Sequence, residues 1–564
     1  MPNKAGRFAI IEQFLADGMT YMFGNPGTVE QGFLDAVDEY PGFQYILTMQ
    51  ETIAVAMADA YARYTKKPTL VQLHSGVGLG NGIGMIYQAF RGHSPLVIVA
   101  GESGIKYDAM DAQMAADLVS MARPVTKWAT RVVDPASTLR VLRRAVKIAA
   151  TPPMGPVFVC LPADMLDQTI QEPVVPTSFP STRVVPHPDD VAAAARLLSN
   201  AQKPLIIMGD GIAYAGAQVE LERVAEKLGA DVWGADNSEV NLRANHPLYK
   251  GSLGHMFGSS SSRIVHEADA ILIVGTYVFP EVFPYLSTSD IFASNAKIIH
   301  LDLNAYEIAK NFPVDLGIVA DPKLSLAALA TELDATMSTA QQRAAKARLE
   351  TSGAAKEQSL KAQFEADEKV RDEMPLHMSR FAQELARHLP DDAIIFDEAL
   401  TSSPPITRHL PPIKPDTFFQ TRGGSLGVGI PGALGLKLAR PDKTVIGFTG
   451  DGGSMYTIQA LWTAARHNIG AKFVICNNSS YMLLKLNIMQ YWHEQGLPMG
   501  KFPSSFDLDG PVVDFAKIAE SMGVPGVRVE RPDQVGPAIQ QMLSHNGPFL
   551  IDLVVDSQVP GVGK

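Results

Sequence analysis

Cysteine is scarce: Cys160 and Cys476 are the only two in 564 residues. Each sits inside an apolar run, FVCLP or FVICNN. Buried free thiols in strands are therefore expected, not a disulfide or a metal pair, and a reducing, cytoplasmic setting fits. Positive charge is short as well: 48 Lys and Arg against 59 Asp and Glu leave a net charge of −11. That balance argues against a nucleic-acid surface and a polybasic membrane anchor, but not against a local site for an anionic substrate. No run reaches about 18 uninterrupted apolar residues, so no membrane-spanning helix is expected. The opening MPNKAGRFAIIEQFLADGM lacks a long apolar core and a cleavage site. It reads as an amphipathic helix, not a signal peptide. No tandem repeat is visible at solenoid periods.

What remains is an ordinary globular composition, 46% hydrophobic and 19% charged, long enough for three or four domains at roughly 150 residues each. Residues 1–175 alternate helix patterns with apolar strands such as TLVQL, SPLVIVAG and PVFVCLP, which predicts a mostly parallel sheet flanked by helices. Residues 172–190 are proline-rich and aperiodic, as an interdomain linker is. A second α/β domain is expected over about 190–335, with strands near 203–209, 230–235, 270–276 and 297–303. Its Gly209-Asp210-Gly211 turn resembles a nucleotide-type turn, but a structural turn is the better reading of a lone motif. Residues 336–375 read as a surface helix. A third α/β domain follows from 376 to 564, with strands near 393–399, 417–421, 444–450, 472–477, 526–529 and 549–555. The first and third domains share one strand–helix rhythm.

One stretch carries chemistry on its face. From Thr444 the sequence runs TVIGFTG, DGGS, a helix pattern, then AKFVICNNSSY. This is strand, glycine turn, helix, strand, with Asp451 and Asn478 at the carboxyl ends of parallel strands, where such sheets bind ligands. An aspartate, an amide oxygen and a nearby backbone carbonyl are hard oxygen donors suited to Mg²⁺ with substrate phosphates. Gly452, Gly453 and Ser454 open the following helix, where N–H groups suit a diphosphate. Ser454 reads equally well as a simple N-cap.

The GDG…NN spacing resembles the thiamine-diphosphate (ThDP) binding motif. The whole chain resembles the ThDP-dependent 2-oxoacid decarboxylase and acetolactate synthase superfamily. Local runs FGNPGT, ILTMQE, LHSGVGLGN, RPVTKW and GDGGSMYTIQALWTAA are most similar to its benzoylformate decarboxylase branch. The resemblance implies an enzyme with ThDP and Mg²⁺ as cofactors, and Asp451, Asn478 and the Ser480 carbonyl as metal ligands. Gly450, Gly452, Gly453, Ser454, Thr401, Ser402 and Tyr481 would line the diphosphate. The Gly424 carbonyl and the Leu426 wedge would hold the bent cofactor. Glu51 would keep the aminopyrimidine ring protonated; as a bare sequence feature it is also an ordinary first-turn glutamate. His74 would shuttle protons, Thr28 would contact the substrate carboxylate, and Asn25, Gly27 and Asn81 would line the same loops. His93 and His255 read as structural. The family builds each site from two subunits, which implies a homodimer or homotetramer.

Departures bear on substrate. Val282 stands where benzoylformate-type relatives carry a second histidine, with Glu281 beside it, so capture of a second carbonyl (carboligation) is an expected outcome alongside decarboxylation. Gln113, Gln420, Leu483 and Asn487 replace apolar, aromatic or small pocket residues. Leu483 narrows the space for a phenyl ring, and amides unpaired by a benzoyl group cost affinity. A small or polar 2-oxoacid is expected. The alternative is an acetolactate-synthase-like transferase that joins two 2-oxoacids, with FAD in the middle domain, to which GHMFG (254–258) is the one weak pointer.

Overall fold

The computed structural model describes residues 4–254, 258–277, 281–284 and 291–559. Three six-stranded sheets dominate it, and every strand pairing within them is parallel. The first has the spatial order Gln44–Leu47, Tyr21–Gly24, Thr69–Leu73, Leu96–Glu102, Val157–Pro162, Trp128–Arg131. The central sheet runs Tyr249–Ser252, Asp231–Gly234, Pro204–Met208, Ala270–Val274, Lys297–Asp302, Leu316–Val319. The third runs Phe418–Gln420, Ile394–Glu398, Val445–Gly450, Lys472–Asn477, Phe549–Val554, Gly526–Val529. The inner strands are buried along all or nearly all of their length. Sheets covered by helices on both faces require this, and it explains their unbroken Val, Ile and Leu runs.

Trp128–Arg131, Tyr249–Ser252 and Leu316–Val319 are strands with no counterpart in the sequence reading. All three lie at sheet edges and stay partly exposed, so they need no apolar run and leave no periodic signal. Counted in chain order within each domain, the strand orders of the first and third sheets are the same, 2-1-3-4-6-5. The helix after the second strand of the first domain, Glu51–Thr65, packs along its counterpart in the third, Gly429–Ala439. A Cβ on Gly435 would collide with the Met57 carbonyl, so the close approach of the two helices depends on glycine there. One continuous apolar core spans this seam, from Phe23, Val55 and Met57 to Phe396, Leu434 and Phe473.

Charge joins all three domains at one buried point. Asp210, in the central-domain turn, accepts from Arg422 Nη1 at 2.9 Å, from Asn241 Nδ2 at 2.9 Å, and from the N–H groups of Ser238 and Glu239. Arg63, on the first-domain seam helix, donates to the Gln420 carbonyl at 2.8 Å and pairs with Glu239 at 3.4 Å. The Gly209-Asp210-Gly211 turn thus holds the third domain to the second. A 31-residue helix, Thr339–Lys369, opens with a capping box at Ser338 and Gln341. Arg348 donates to the Leu228 carbonyl and Lys356 to the His246 carbonyl of the central domain, and Asp367 accepts from Arg408 and His409 of the third. No helix among the described residues is long and apolar enough to cross a membrane.

Candidate active site

Two half-sites lie at the carboxyl ends of the first and third sheets. In the first domain, Gln50 is extended and its side chain accepts from Thr52 N–H at 2.6 Å, so the helix begins at Glu51. The cap turns the buried Glu51 carboxylate toward the loops. There Oε1 accepts from Asn25 Nδ2 at 3.2 Å and Oε2 from Asn81 Nδ2 at 3.0 Å. His74 packs over Gly27, where any Cβ would fall inside the imidazole ring. Its Nδ1 lies 2.9 Å from Glu30 Oε2, and Glu30 also accepts from Gly101 N–H at 2.9 Å. Burial pushes the Glu30 carboxyl above the usual carboxylate range, and the His74 contact pulls it partly back. Thr28 and Gln113 are exposed on this face. Glu30 is absent from the sequence reading. Its signal is a glutamate two residues after Thr28 in NPGTVE, a place where a buried acid needs a partner.

In the third domain, a cavity of about 840 Å³ opens beside the ends of the strands Ile394–Glu398, Val445–Gly450 and Lys472–Asn477. Its lining includes Thr401, Ser402, Gln420, Gly424, Leu426, Gly450, Asp451, Gly452, Gly453, Asn478, Ser480, Tyr481 and Leu483. The Asp451 carboxylate is buried. Oδ1 accepts from Gly452 N–H at 2.7 Å, while Oδ2 has no hydrogen-bond partner among the described residues. The N–H groups of Asn478, Ser479 and Ser480 face this carboxylate without closing a bond on Oδ2, and burial raises its pKa. Asn478 Oδ1 accepts from Ser480 N–H at 3.0 Å, and Ser479 takes a left-handed conformation, φ +52°. Leu400, at the cavity wall, has φ +49°. Strained residues of this kind gather at functional sites.

Behind the cavity, Glu398 is fully buried. It accepts from Gly429 N–H at 2.6 Å, from Thr449 Oγ1 at 3.1 Å, and from Gly427 N–H. It therefore holds the C-terminal end of the loop that carries Gly424 and Leu426, where the chain enters the helix Gly429–Ala439. Burial pushes its carboxyl up to about 7 against these donors. The two adjacent acids of AIIFDEA, in a strand otherwise apolar, are the sequence signal for it.

Some expected residues fall elsewhere. Ser454 is neither cap nor lining: the helical turn begins at Asp451, and the Ser454 hydroxyl donates back to the Asp451 carbonyl at 2.7 Å. Asn487 sits beyond Leu483 on the helix Met482–Glu494 and does not line the cavity. Gln420 does, but its amide donates to buried Asp397 at 3.0 Å. The three amides thus do not converge within the chain. Glu51, His74, Thr28, Asn25, Gly27, Asn81 and Gln113 are likewise absent from the cavity wall. Of the GHMFG segment (254–258), residues 255–257, His255 among them, lie outside the described residues.

Three family descriptions match the chain in succession. They are the N-terminal TPP binding domain of thiamine pyrophosphate enzymes at residues 5–121, the central domain at 191–329 and the C-terminal TPP binding domain at 402–553. A probable acetolactate synthase large subunit of Methanocaldococcus jannaschii is 30% identical, with 98% of this chain and 92% of that protein covered. The chain belongs to the ThDP-dependent 2-oxoacid decarboxylase and acetolactate synthase superfamily. Benzoylformate decarboxylase of Pseudomonas aeruginosa is 29% identical to this ThDP enzyme, over 96% of the chain and 97% of that protein. A solved structure of the ThDP-dependent 4-hydroxybenzoylformate decarboxylase of Rhodococcus jostii RHA1 superposes with a TM-score of 0.84. It is 26% identical and covers 98% of this chain and 99% of that one.

The third-domain cavity suits ThDP with a divalent cation. The unpartnered buried oxygen of Asp451 is a hard donor, and Asn478 and Ser480 share the cavity lining with it, residues whose oxygens would suit a cation. At Gly424 (φ +82°) the space a Cβ would take is open, which leaves room for a ring to approach the backbone. Charge does not decide for or against the flavin of the alternative reading: the cavity at the carboxyl ends of the central sheet is lined by Asp210, Asp236 and Asp302 but also by Lys66, Lys67 and Arg422, cations that would meet a dinucleotide's phosphates.

Proposed function

We propose that this enzyme decarboxylates a small 2-oxoacid with ThDP and Mg²⁺, each site formed by the first domain of one copy and the third domain of another. The observation that carries the reading is the complementarity of the half-sites. One holds a carboxylate positioned by two amides, and the other holds an unpartnered carboxylate oxygen in a cavity large enough for the cofactor. Exposed apolar side chains surround both: Met49 and Val77 near Glu51 and His74, Tyr456 and Leu400 at the cavity. Such patches mark association surfaces, and a homodimer or homotetramer would cover them.

Bound ThDP supplies the electron sink for decarboxylation. Asp451, Asn478 and the Ser480 carbonyl would hold the cation that binds the diphosphate, and Gly424 and Leu426 would set the angle between the rings. Glu51 would accept a hydrogen bond from the pyrimidine ring nitrogen and keep that nitrogen protonated, with Asn25 and Asn81 fixing its two oxygens. Glu30 fixes His74 through Nδ1, which leaves Nε2 to exchange a proton with the substrate. Leu483 lines the cavity, and its bulk there supports a small acyl group. The polar half of the sequence expectation loses its support, because Gln420 is committed to Asp397 and Asn487 lies off the cavity.

The test is a panel of 2-oxoacids assayed for CO₂ with and without ThDP and Mg²⁺, with products identified. CO₂ and aldehyde from a short-chain acid support the reading. Condensation of two 2-oxoacids would place the chain with the acetolactate synthases. Absence of turnover across the panel would reject both.

A further inference from the structure

Glu281 has no role in the chemistry above. It lines the cofactor cavity together with Leu483, Gly424, Leu426 and Asp451, and it is 6% exposed. Among the described residues, neither of its carboxyl oxygens meets hydrogen-bond geometry with any group, although both are buried. The polar side chain that acts on it is Ser261, on the helix Gly258–His266, whose Oγ accepts from the Gly254 N–H at 3.0 Å. Burial raises its pKa, and Ser261 and its own backbone lower it. A carboxylate left in this setting would be a buried, unpaired charge, so the neutral acid is the form the site favours.

We propose that Glu281 is the acid that delivers a proton to the substrate carbon after CO₂ has left, the task for which Val282 offers no group. This rests on the function proposed above. The electron pair released from the broken C–C bond forms the new C–H bond as the Glu281 O–H bond breaks. Water entering the cavity then returns the proton to the carboxylate. A second carbonyl compound competes for the same electron pair, so Glu281 sets the division between aldehyde release and carboligation.

The measurement uses wild type, Glu281→Gln and Glu281→Asp, each with ThDP, Mg²⁺ and the 2-oxoacid the wild type turns over fastest. In Glu281→Gln, the first-turnover burst of CO₂ should persist while aldehyde release falls about 10²-fold, the scale of a lost general acid. Glu281→Asp should restore part of the aldehyde. Without cofactor, the infrared C=O band of a protonated carboxyl should be present at neutral pH in wild type and lost in Glu281→Gln. Should that variant not fold, Glu281→Asp must still lower aldehyde per CO₂. Wild-type aldehyde per CO₂ in either variant, or an unchanged carboxyl band in Glu281→Gln, overturns the assignment alone. No CO₂ from wild type on any acid overturns the proposed function and the assignment with it.

Discussion

Glu398 offers the sharpest test of the energetics behind the cofactor cavity. Its carboxyl is fully buried and is pushed up to about 7 from an ordinary value of 4.5. The folded chain therefore holds this proton more tightly than the unfolded chain does. Linkage then costs stability as pH rises from the unfolded value through the folded one. With midpoints of 4.5 and about 7, the loss between pH 5 and pH 8 is about 2.5 kcal/mol. Glu398→Gln cannot ionise and escapes that loss. At pH 5 the variant should be the less stable of the two. Its amide NH₂ must face one of the N–H donors of Gly427 or Gly429, which leaves one hydrogen bond unmade at about 1–3 kcal/mol. From pH 5 to pH 8 the gap should move by about 2.5 kcal/mol in the variant's favour. Urea denaturation of the cofactor-free protein, at constant ionic strength and followed by circular dichroism, measures both. A gap that stays constant, or moves toward wild type, would show that the three donors outweigh burial and that Glu398 is ionised throughout. The argument for a strained, pH-sensitive support behind Gly424 and Leu426 would then be wrong.

Three further outcomes are expected. Asp451→Asn removes a buried, unpartnered carboxylate oxygen, so the cofactor-free variant should melt no lower than wild type at pH 8. Adding Mg²⁺ and ThDP at about 100 times the wild-type Kd should stabilise wild type by about 2.7 kcal/mol and the variant much less; equal shifts would remove Asp451 from the metal site. Gly27→Ala places a methyl inside the His74 ring, which should cost about 1–3 kcal/mol and break the Glu30 contact; an unchanged melting temperature with unchanged turnover would contradict the packing. Arg422→Met strands the buried Asp210 carboxylate and should cost about 3–5 kcal/mol. Adding Asp210→Asn should recover much of that, and a double variant no more stable than the single one would refute the pairing.

The inner strands and the three-sheet architecture are legible in the sequence because burial on both faces forces unbroken apolar runs, as in TVIGFTG and FVICNN. Edge strands such as Trp128–Arg131 face water on one side and leave no such trace. At the site, residue type and spacing single out Asp451, Asn478 and Glu51. Spacing does not show partners. It does not give the turn that aims Ser454 back at the Asp451 carbonyl, or the Asp397 contact that occupies Gln420. Glu30 and Glu398 escape notice for a related reason. Each acts through backbone N–H groups and neighbours distant in sequence, a relation that no local motif encodes.

The 31-residue helix Thr339–Lys369 is about 46 Å long. It is fastened to the central domain near Arg348 and Lys356 and to the third domain at Asp367. A helix resists stretching far more than an extended linker does, so it acts as a strut of fixed length between the two domains. The cavity has walls from both, with Asp236 and Ser238 on one side and Gly424 and Asp451 on the other. Moving the two domains apart along the strut's length would therefore have to break one of its anchors, at Arg348 and Lys356 or at Asp367.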